Sequence, residues 1–152
     1  MITVLPPRTG VASLCEPILR SVPEWFGIED ANQHYLDYVN QNPTFLAMKD
    51  NTPVGFLAIE QHFPQSAEIY VMIVHRDYHR QGIGRALIDA AEKHLKSNGT
   101  RFLQVKTLSD KHPDEGYKLT RAFYIGVGFM PLEEFPTLWG EHNPALQMVK
   151  AL

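Results

Sequence analysis

Cys15 is the chain's only cysteine, so no intrachain disulfide can form and a reducing compartment fits. No apolar run approaches the ~20 residues of a membrane span. The opening MITVLPPRTG lacks the basic stretch and apolar core of a secretory signal, and a cytoplasmic protein is expected. Positive charge is not in excess. Fourteen Lys and Arg face 17 Asp and Glu, a net of −3, which gives no support to nucleic-acid binding. Repeats, linkers and low-complexity stretches are also missing. What is there is a 152-residue chain, 44% hydrophobic and 20% charged. That balance argues against disorder and suits a single domain, residues 1–152, with a substantial core.

The densest information lies in His79-Arg80-Gln81-Gly82-Ile83-Gly84-Arg85-Ala86. The run Ala67 to Val74 before it is unbroken and β-favouring, and Ile83, Leu87, Ala90, Ala91, His94 and Leu95 after it recur at helical spacing. A glycine-rich turn feeding a helix presents amides without intrahelical partners to the positive end of the helix dipole. That is a place for phosphate. His75, Arg76, His79, Arg80 and Arg85 add local basicity. A P-loop would need four residues between its glycines and then Lys and Ser or Thr; both are missing. The dinucleotide fingerprint would need glycine where Leu87 stands and an earlier place in the chain.

The remaining segments alternate. Met1 to Leu5 is a strand stopped by Pro6-Pro7. Val11 to Arg20 is a helix that Pro17 should bend or split. Glu29 to Asn40 is a second helix. Thr44 to Met48 and Val54 to Glu60 form a hairpin around residues 49–53. After the key strand and helix come a strand at Arg101 to Leu108, a polar loop Ser109 to Gly116, and a helix from Tyr117 to Val127. Strands at Pro131 to Phe135 and Ala145 to Val149 complete the order.

The glycine loop resembles that of the GNAT superfamily of acyl-CoA N-acyltransferases, whose signature is Gln or Arg, two residues, Gly, one residue, then Gly or Ala. Gly82, Ile83 and Gly84 match it, and His79 stands where Gln or Arg is usual. The β-α-α-β-β-β-α-β-α-β-β order resembles the same fold. So does Arg121-Ala122-Phe123-Tyr124-Ile125-Gly126-Val127-Gly128-Phe129, a helix with a Phe-Tyr pair ending in Gly-Phe. The resemblance implies an α/β GNAT fold: a mixed, twisted sheet of about seven strands with about four helices, splayed at the acyl-CoA site. It implies acetyl-CoA as co-substrate, its pyrophosphate held by His79, Arg80, Gln81, Gly82, Ile83, Gly84 and Arg85. The pantetheine arm would pair with Met72, Ile73 and Val74 as an added strand.

By the same resemblance Tyr124 lies near the coenzyme sulfur, and its reference pKa of ~10 suits protonation of a thiolate. Phe123 is assigned to the core. Glu68 lies eleven residues before His79, the offset of the catalytic glutamate in the histone acetyltransferase branch, and is the candidate base. It reads equally well as a solvated strand residue, with Glu60 and Tyr70 as fallbacks. Trp25, Phe26, Asp30 and Tyr117 are expected to contact the acceptor, with the long Ser109–Gly116 connection walling its pocket. Glu24, Glu29, Asp30, Asp114 and Glu115 would favour a cationic amine. Thr137–Gly140 is read as a further wall or a homodimer contact. The chain has seven histidines, but no set with ligand spacing, so no metal is expected. Three functions stay open: a small-molecule N-acetyltransferase, a protein or peptide N-acetyltransferase, and a non-catalytic acyl-CoA-binding domain. None involves nucleic acid or membrane.

Overall fold

A computed structural model describes residues 1–152. Its strands are β1 (Ile2–Val4), β2 (Thr44–Lys49), β3 (Thr52–Phe63), β4 (Ser66–Val74), β5 (Phe102–Leu108), β6 (Met130–Phe135) and β7 (Ala145–Ala151). Its helices are α1 (Ala12–Arg20), α2 (Glu29–Gln41), α3 (Ile83–Ser97) and α4 (Glu115–Gly126). The expected element order holds throughout. The seven strands form one sheet in the order β1-β2-β3-β4-β5-β7-β6. No helix is long and apolar enough to cross a membrane.

The chain divides into two compact units, Met1–Glu60 with Tyr70–Ser97, and Gln61–Ile69 with Asn98–Leu152. In the first, β1, β2 and β3 are antiparallel neighbours. The β2–β3 hairpin turns at Asp50, whose φ of +54° explains a short polar residue there. Val11, Cys15, Ile18, Leu19, Leu36 and Val39 from the helical side pack with Leu46, Phe56, Ala58, Val71 and Ile73 from the strands. Pro17 does not split α1, which runs unbroken through it. A proline costs one helical hydrogen bond, and the burial of Cys15, Ile18 and Leu19 on either side outweighs that loss.

Helix α3 buries Ile83, Leu87, Ile88, Ala91 and Leu95. His94, expected on that face, is exposed, with its ring edge-on to Phe45 at 5.6 Å. The helix lies close over Gly55, where an added Cβ would come 3.0 Å from Ile83 Cγ2 and 3.2 Å from Leu87 Cδ1.

In the second unit, β4 and β5 are parallel over Ser66↔Phe102, Ala67↔Leu103 and Glu68↔Gln104. Both strands continue beyond that ladder. β5 and β7 are antiparallel along their whole length, and β6 closes on β7. Leu103, Val105, Tyr124, Val127, Phe129, Ala145 and Met148 are buried. Phe123, assigned to the core, is only half-buried; the enclosed ring beside Tyr124 is Phe129, 1% exposed.

Candidate active site

Residues 75–82 carry the chain from β4 into α3. Arg80 and Gly82, flanking Gln81, have φ of +64° and +79°. The amide of Ala86 donates to the Gly82 carbonyl at 3.0 Å, which makes Gly82 the cap of α3. The N–H groups of Gly82, Ile83, Gly84 and Arg85 then have no acceptor within the helix. Left-handed residues just before a helix start turn successive amides toward one point, a nest for an anion. A Cβ at Gly82 would meet nothing within 4 Å. Gly84 belongs to the first turn of α3 rather than to the loop, where its amide still has no acceptor within the helix.

His79 has a task the sequence did not reveal. Its Nε2 lies 2.8 Å from the Val74 carbonyl and its ring stands edge-on to Trp25 at 6.4 Å. It ties the end of β4 to the loop. Arg76, counted in the basic cluster, donates from Nε to the Ser21 carbonyl at 2.8 Å and pairs with Glu24.

The edge of β4 has a definite polarity. His75 N donates to Val54 O of β3 at 2.8 Å. Because amides alternate along a strand, those of Met72 and Val74 face the other edge, while Ile73's face β3. Met72 and the amide of Val74 are therefore the main-chain groups an added extended ligand would meet, the Val74 carbonyl being held by His79.

Tyr124 is positioned by the end of its helix. Phe129 N donates to Tyr124 O at 3.0 Å and Gly128 N to Ile125 O at 3.0 Å. This is a Schellman cap, whose αL residue is Gly128 at φ +103°. Such caps usually carry an apolar contact across the reversal, and here the Tyr124 and Phe129 rings meet edge-on at 5.5 Å. A side chain at Gly128 would also strike Lys150 Cε, 2.9 Å from the ideal Cβ. The Gly-Phe sequence is thus the device that holds Tyr124. Burial raises the Tyr124 hydroxyl above its ordinary pKa, so it is protonated at neutral pH and available as an acid.

Glu68 is 8% exposed and both its oxygens are engaged. His62 Nε2 lies 2.7 Å from Oε1 and Lys106 Nζ 2.9 Å from Oε2. It is neither a solvated strand residue nor a lone carboxylate in an apolar setting. His62 and Lys106 were not foreseen. The signals were a histidine at the end of β3, next to the turn into β4, and a lysine two residues along β5 from Glu68's ladder partner Gln104. Sequence spacing shows no ligand set, yet one such group is close in space. Glu60, His62 and Glu68 each place a ligand-type atom within 4.8 Å of the others. The Lys106 ammonium already supplies Glu68 with positive charge.

The sequence profile of the acetyltransferase (GNAT) family matches residues 14–129. The chain belongs to that family. It is accordingly an acyl-CoA-dependent N-acyltransferase. No curated protein sequence matches it, but solved GNAT structures do. The ribosomal-protein-S18-alanine N-acetyltransferase of Escherichia coli aligns with TM-score 0.78 at 18% identity, covering 99% of this chain and 94% of that one. A GNAT family acetyltransferase of Elizabethkingia anophelis with acetyl-CoA bound gives 0.76 at 17%, over 99% and 98%. The aminoglycoside 6'-N-acetyltransferase of Enterococcus faecium gives 0.75 at 16%, over 98% and 96%. At such identities the likeness extends to the fold, and acceptors differ among these GNAT enzymes.

Three of the five acidic residues expected to attract a cation are already committed. Glu24 pairs with Arg76. Glu29 meets Arg20 at 2.5 Å, and the guanidinium holds its carboxyl down to about 2. Asp114 caps α4, accepting from Gly116 N at 2.8 Å and Tyr117 N at 3.3 Å. That cap starts α4 at Glu115, so the connection from β5 is Ser109–Asp114 and shorter than expected. Arg121 fastens its start, donating to the carbonyls of Leu108 at 2.8 Å and Ser109 at 3.0 Å. Phe26 lies edge-on to Tyr35 at 5.5 Å. Tyr117 lies edge-on to His112 at 6.3 Å. Asp30 is exposed at the start of α2, and Thr137–Gly140 is a turn with Leu138 and Trp139 partly exposed.

Proposed function

We propose that this acetyltransferase transfers the acetyl group of acetyl-CoA to the primary amine of a cytoplasmic small molecule, by direct attack in a ternary complex. The amides of Gly82, Ile83, Gly84 and Arg85 hold the pyrophosphate, with the side chains of His79, Arg80 and Gln81 around it, and Met72 and Val74 pair with the pantetheine arm. The acceptor arrives as an ammonium and passes a proton to the Glu68 carboxylate, which releases it to solvent, before its nitrogen can attack. The nitrogen lone pair then forms the C–N bond at the thioester carbonyl. The C–S bond breaks as the carbonyl re-forms, and the thiolate takes the Tyr124 proton. The surplus proton on the amide nitrogen restores the tyrosine. The net reaction is ammonium plus acetyl-CoA giving amide, coenzyme A thiol and one proton.

Burial that raises the Tyr124 pKa does not spoil this transfer. A thiolate held in the same dry surroundings is destabilised in the same sense, so the two proton affinities rise together.

The observation that carries the acceptor class is an aromatic row in the first unit. Phe26 meets Tyr35 at 5.5 Å, Tyr35 meets Tyr70 at 5.8 Å, and Tyr70 stacks on Tyr38 at 3.8 Å. Rings supply contact area and cation–π attraction to a compact amine with an apolar body. Polycations would want free carboxylates, and Glu24 and Glu29 are paired. Trp25, Phe26 and Asp30 are the proposed acceptor contacts, with Tyr117 a further one. The test is thiol release from acetyl-CoA with tryptamine, spermidine, kanamycin and an alanine-terminated peptide. Tryptamine should be fastest. A clear preference for the peptide would make this a protein acetyltransferase, and release with none, despite bound acetyl-CoA, would make it a binding domain.

A further inference from the structure

The Glu68 carboxylate poses a physical question that its proposed role does not answer. A charged carboxylate with an 11% exposed side chain is costly unless paired. It must also hold one orientation to receive a proton efficiently. Both needs are met by groups from other strands. Lys106 of β5 donates to Oε2 at 2.9 Å, and His62 of β3 lies 2.7 Å from Oε1. The backbone fixes the spacing. The ladder pairs Glu68 with Gln104, and residues two apart on a strand share a face, so Lys106 stands on the Glu68 side of β5. Gln104 itself donates to Ser66 Oγ at 3.3 Å. Lys106 is a quarter exposed and the His62 side chain about a third, at 25% and 35%. The carboxylate is the innermost member of the three.

Resting on the reading of Glu68 as the group that drives amine deprotonation, we propose that Lys106 and His62 are its positioning residues. Lys106 supplies the opposite charge that lets the carboxylate stay ionised out of water. Facing an ionised carboxylate, His62 Nε2 carries the proton and donates it, which stops the carboxylate from rotating. A carboxylate has about four lone-pair directions, so two remain for the acceptor's proton after both contacts are made.

The two roles differ in which substitution preserves them. Lys106→Arg keeps the charge and Lys106→Met keeps only the bulk. His62→Gln keeps an N–H donor at similar reach, and His62→Leu keeps only the bulk. Kinetics are measured with whichever of the four amines releases thiol fastest, and acetyl-CoA affinity by calorimetry. Lys106→Met and His62→Leu should each lower kcat about tenfold or more, below the ~10²–10⁴ expected for a positioned base. KM and Kd for acetyl-CoA should not move, and Lys106→Arg and His62→Gln should recover most of the loss. In a Glu68→Gln background, Lys106→Met should cost nothing further in kcat. Full turnover in Glu68→Gln would remove the base reading itself. Loss in Glu68→Gln with parental kcat in Lys106→Met and His62→Leu would overturn only the positioning roles. So would a loss that the charge- and donor-keeping variants fail to recover.

Discussion

Gly82→Ala separates what the turn before α3 costs the fold from what it gives the proposed coenzyme cradle. At φ +79° a Cβ is strained, and the left-handed conformation costs an L-residue roughly 1–2 kcal/mol. No clash adds to that, since nothing lies within 4 Å of the added atom. For a chain of this length the melting temperature should fall by about 2–8 °C. Relief of the strain rotates the adjoining peptides and turns the amides of Gly82 and Ile83 off their common focus. Hydrogen bonds to a charged group are worth about 1.5–3 kcal/mol each, so one lost donor weakens acetyl-CoA binding by about 10- to 100-fold. Gly10 provides the control. Its φ is +73°, and again nothing lies within 4 Å, but it sits between β1 and α1. Gly10→Ala should lower the melting temperature by a similar amount and leave affinity unchanged. Calorimetric titration and thermal melts of both variants give all four numbers. Equal acetyl-CoA affinity in Gly82→Ala and Gly10→Ala would refute the amide cradle.

Three further outcomes are expected. Tyr124→Phe should lower kcat by ~10²–10⁴ at unchanged acetyl-CoA affinity, as loss of a positioned acid does; steady-state kinetics with calorimetry decides it. Gly55→Val should destabilise the protein by about 1–3 kcal/mol through overpacking, because its Cβ starts 3.0 Å from Ile83 Cγ2 and 3.3 Å from Ile73 O; denaturant titration reads the loss. Burial pushes the Cys15 thiol from its ordinary 9.0 up to about 12, so the folded state keeps a proton that the unfolded chain releases. That contribution is present below pH 9 and fades as pH rises toward 12, and the raised Tyr124 hydroxyl acts with the same sign. Unfolding midpoints between pH 8 and 10.5 should therefore decline, and less steeply in Cys15→Ala.

The element order could be read from the sequence because each segment carries a strong local period, and local signals set type better than boundary. Helix α4 shows the limit. Gly116 reads as loop, but Asp114 caps the helix two residues earlier and Thr120 Oγ1 donates back to the Gly116 carbonyl at 3.1 Å. The turn into α3 and the reversal after α4 could be found because positive-φ backbone favours glycine at Gly82 and Gly128, and glycines are visible in a sequence. The surroundings of Glu68 could not. His62 and Lys106 are six and 38 residues from it, and only strand pairing shows that they meet. The acidic residues failed for the same reason: Glu24, Glu29 and Asp114 look available until Arg76, Arg20 and the α4 amides are seen beside them.

β4 also limits how this protein can change length. Glu68 is its third residue and Val74 its last, and each end is pinned, by the pairing with Gln104 and by the His75–Val54 bond. At about 3.3 Å per residue, Glu68 and Met72 stand roughly 13 Å apart along an element that cannot stretch. Inserting or deleting one residue between them would turn either the carboxylate or the amides of Met72 and Val74 to the wrong side. Two residues would restore the facing but change the separation by about 7 Å. The interval from Glu68 to Val74 is thus a fixed unit of length within β4.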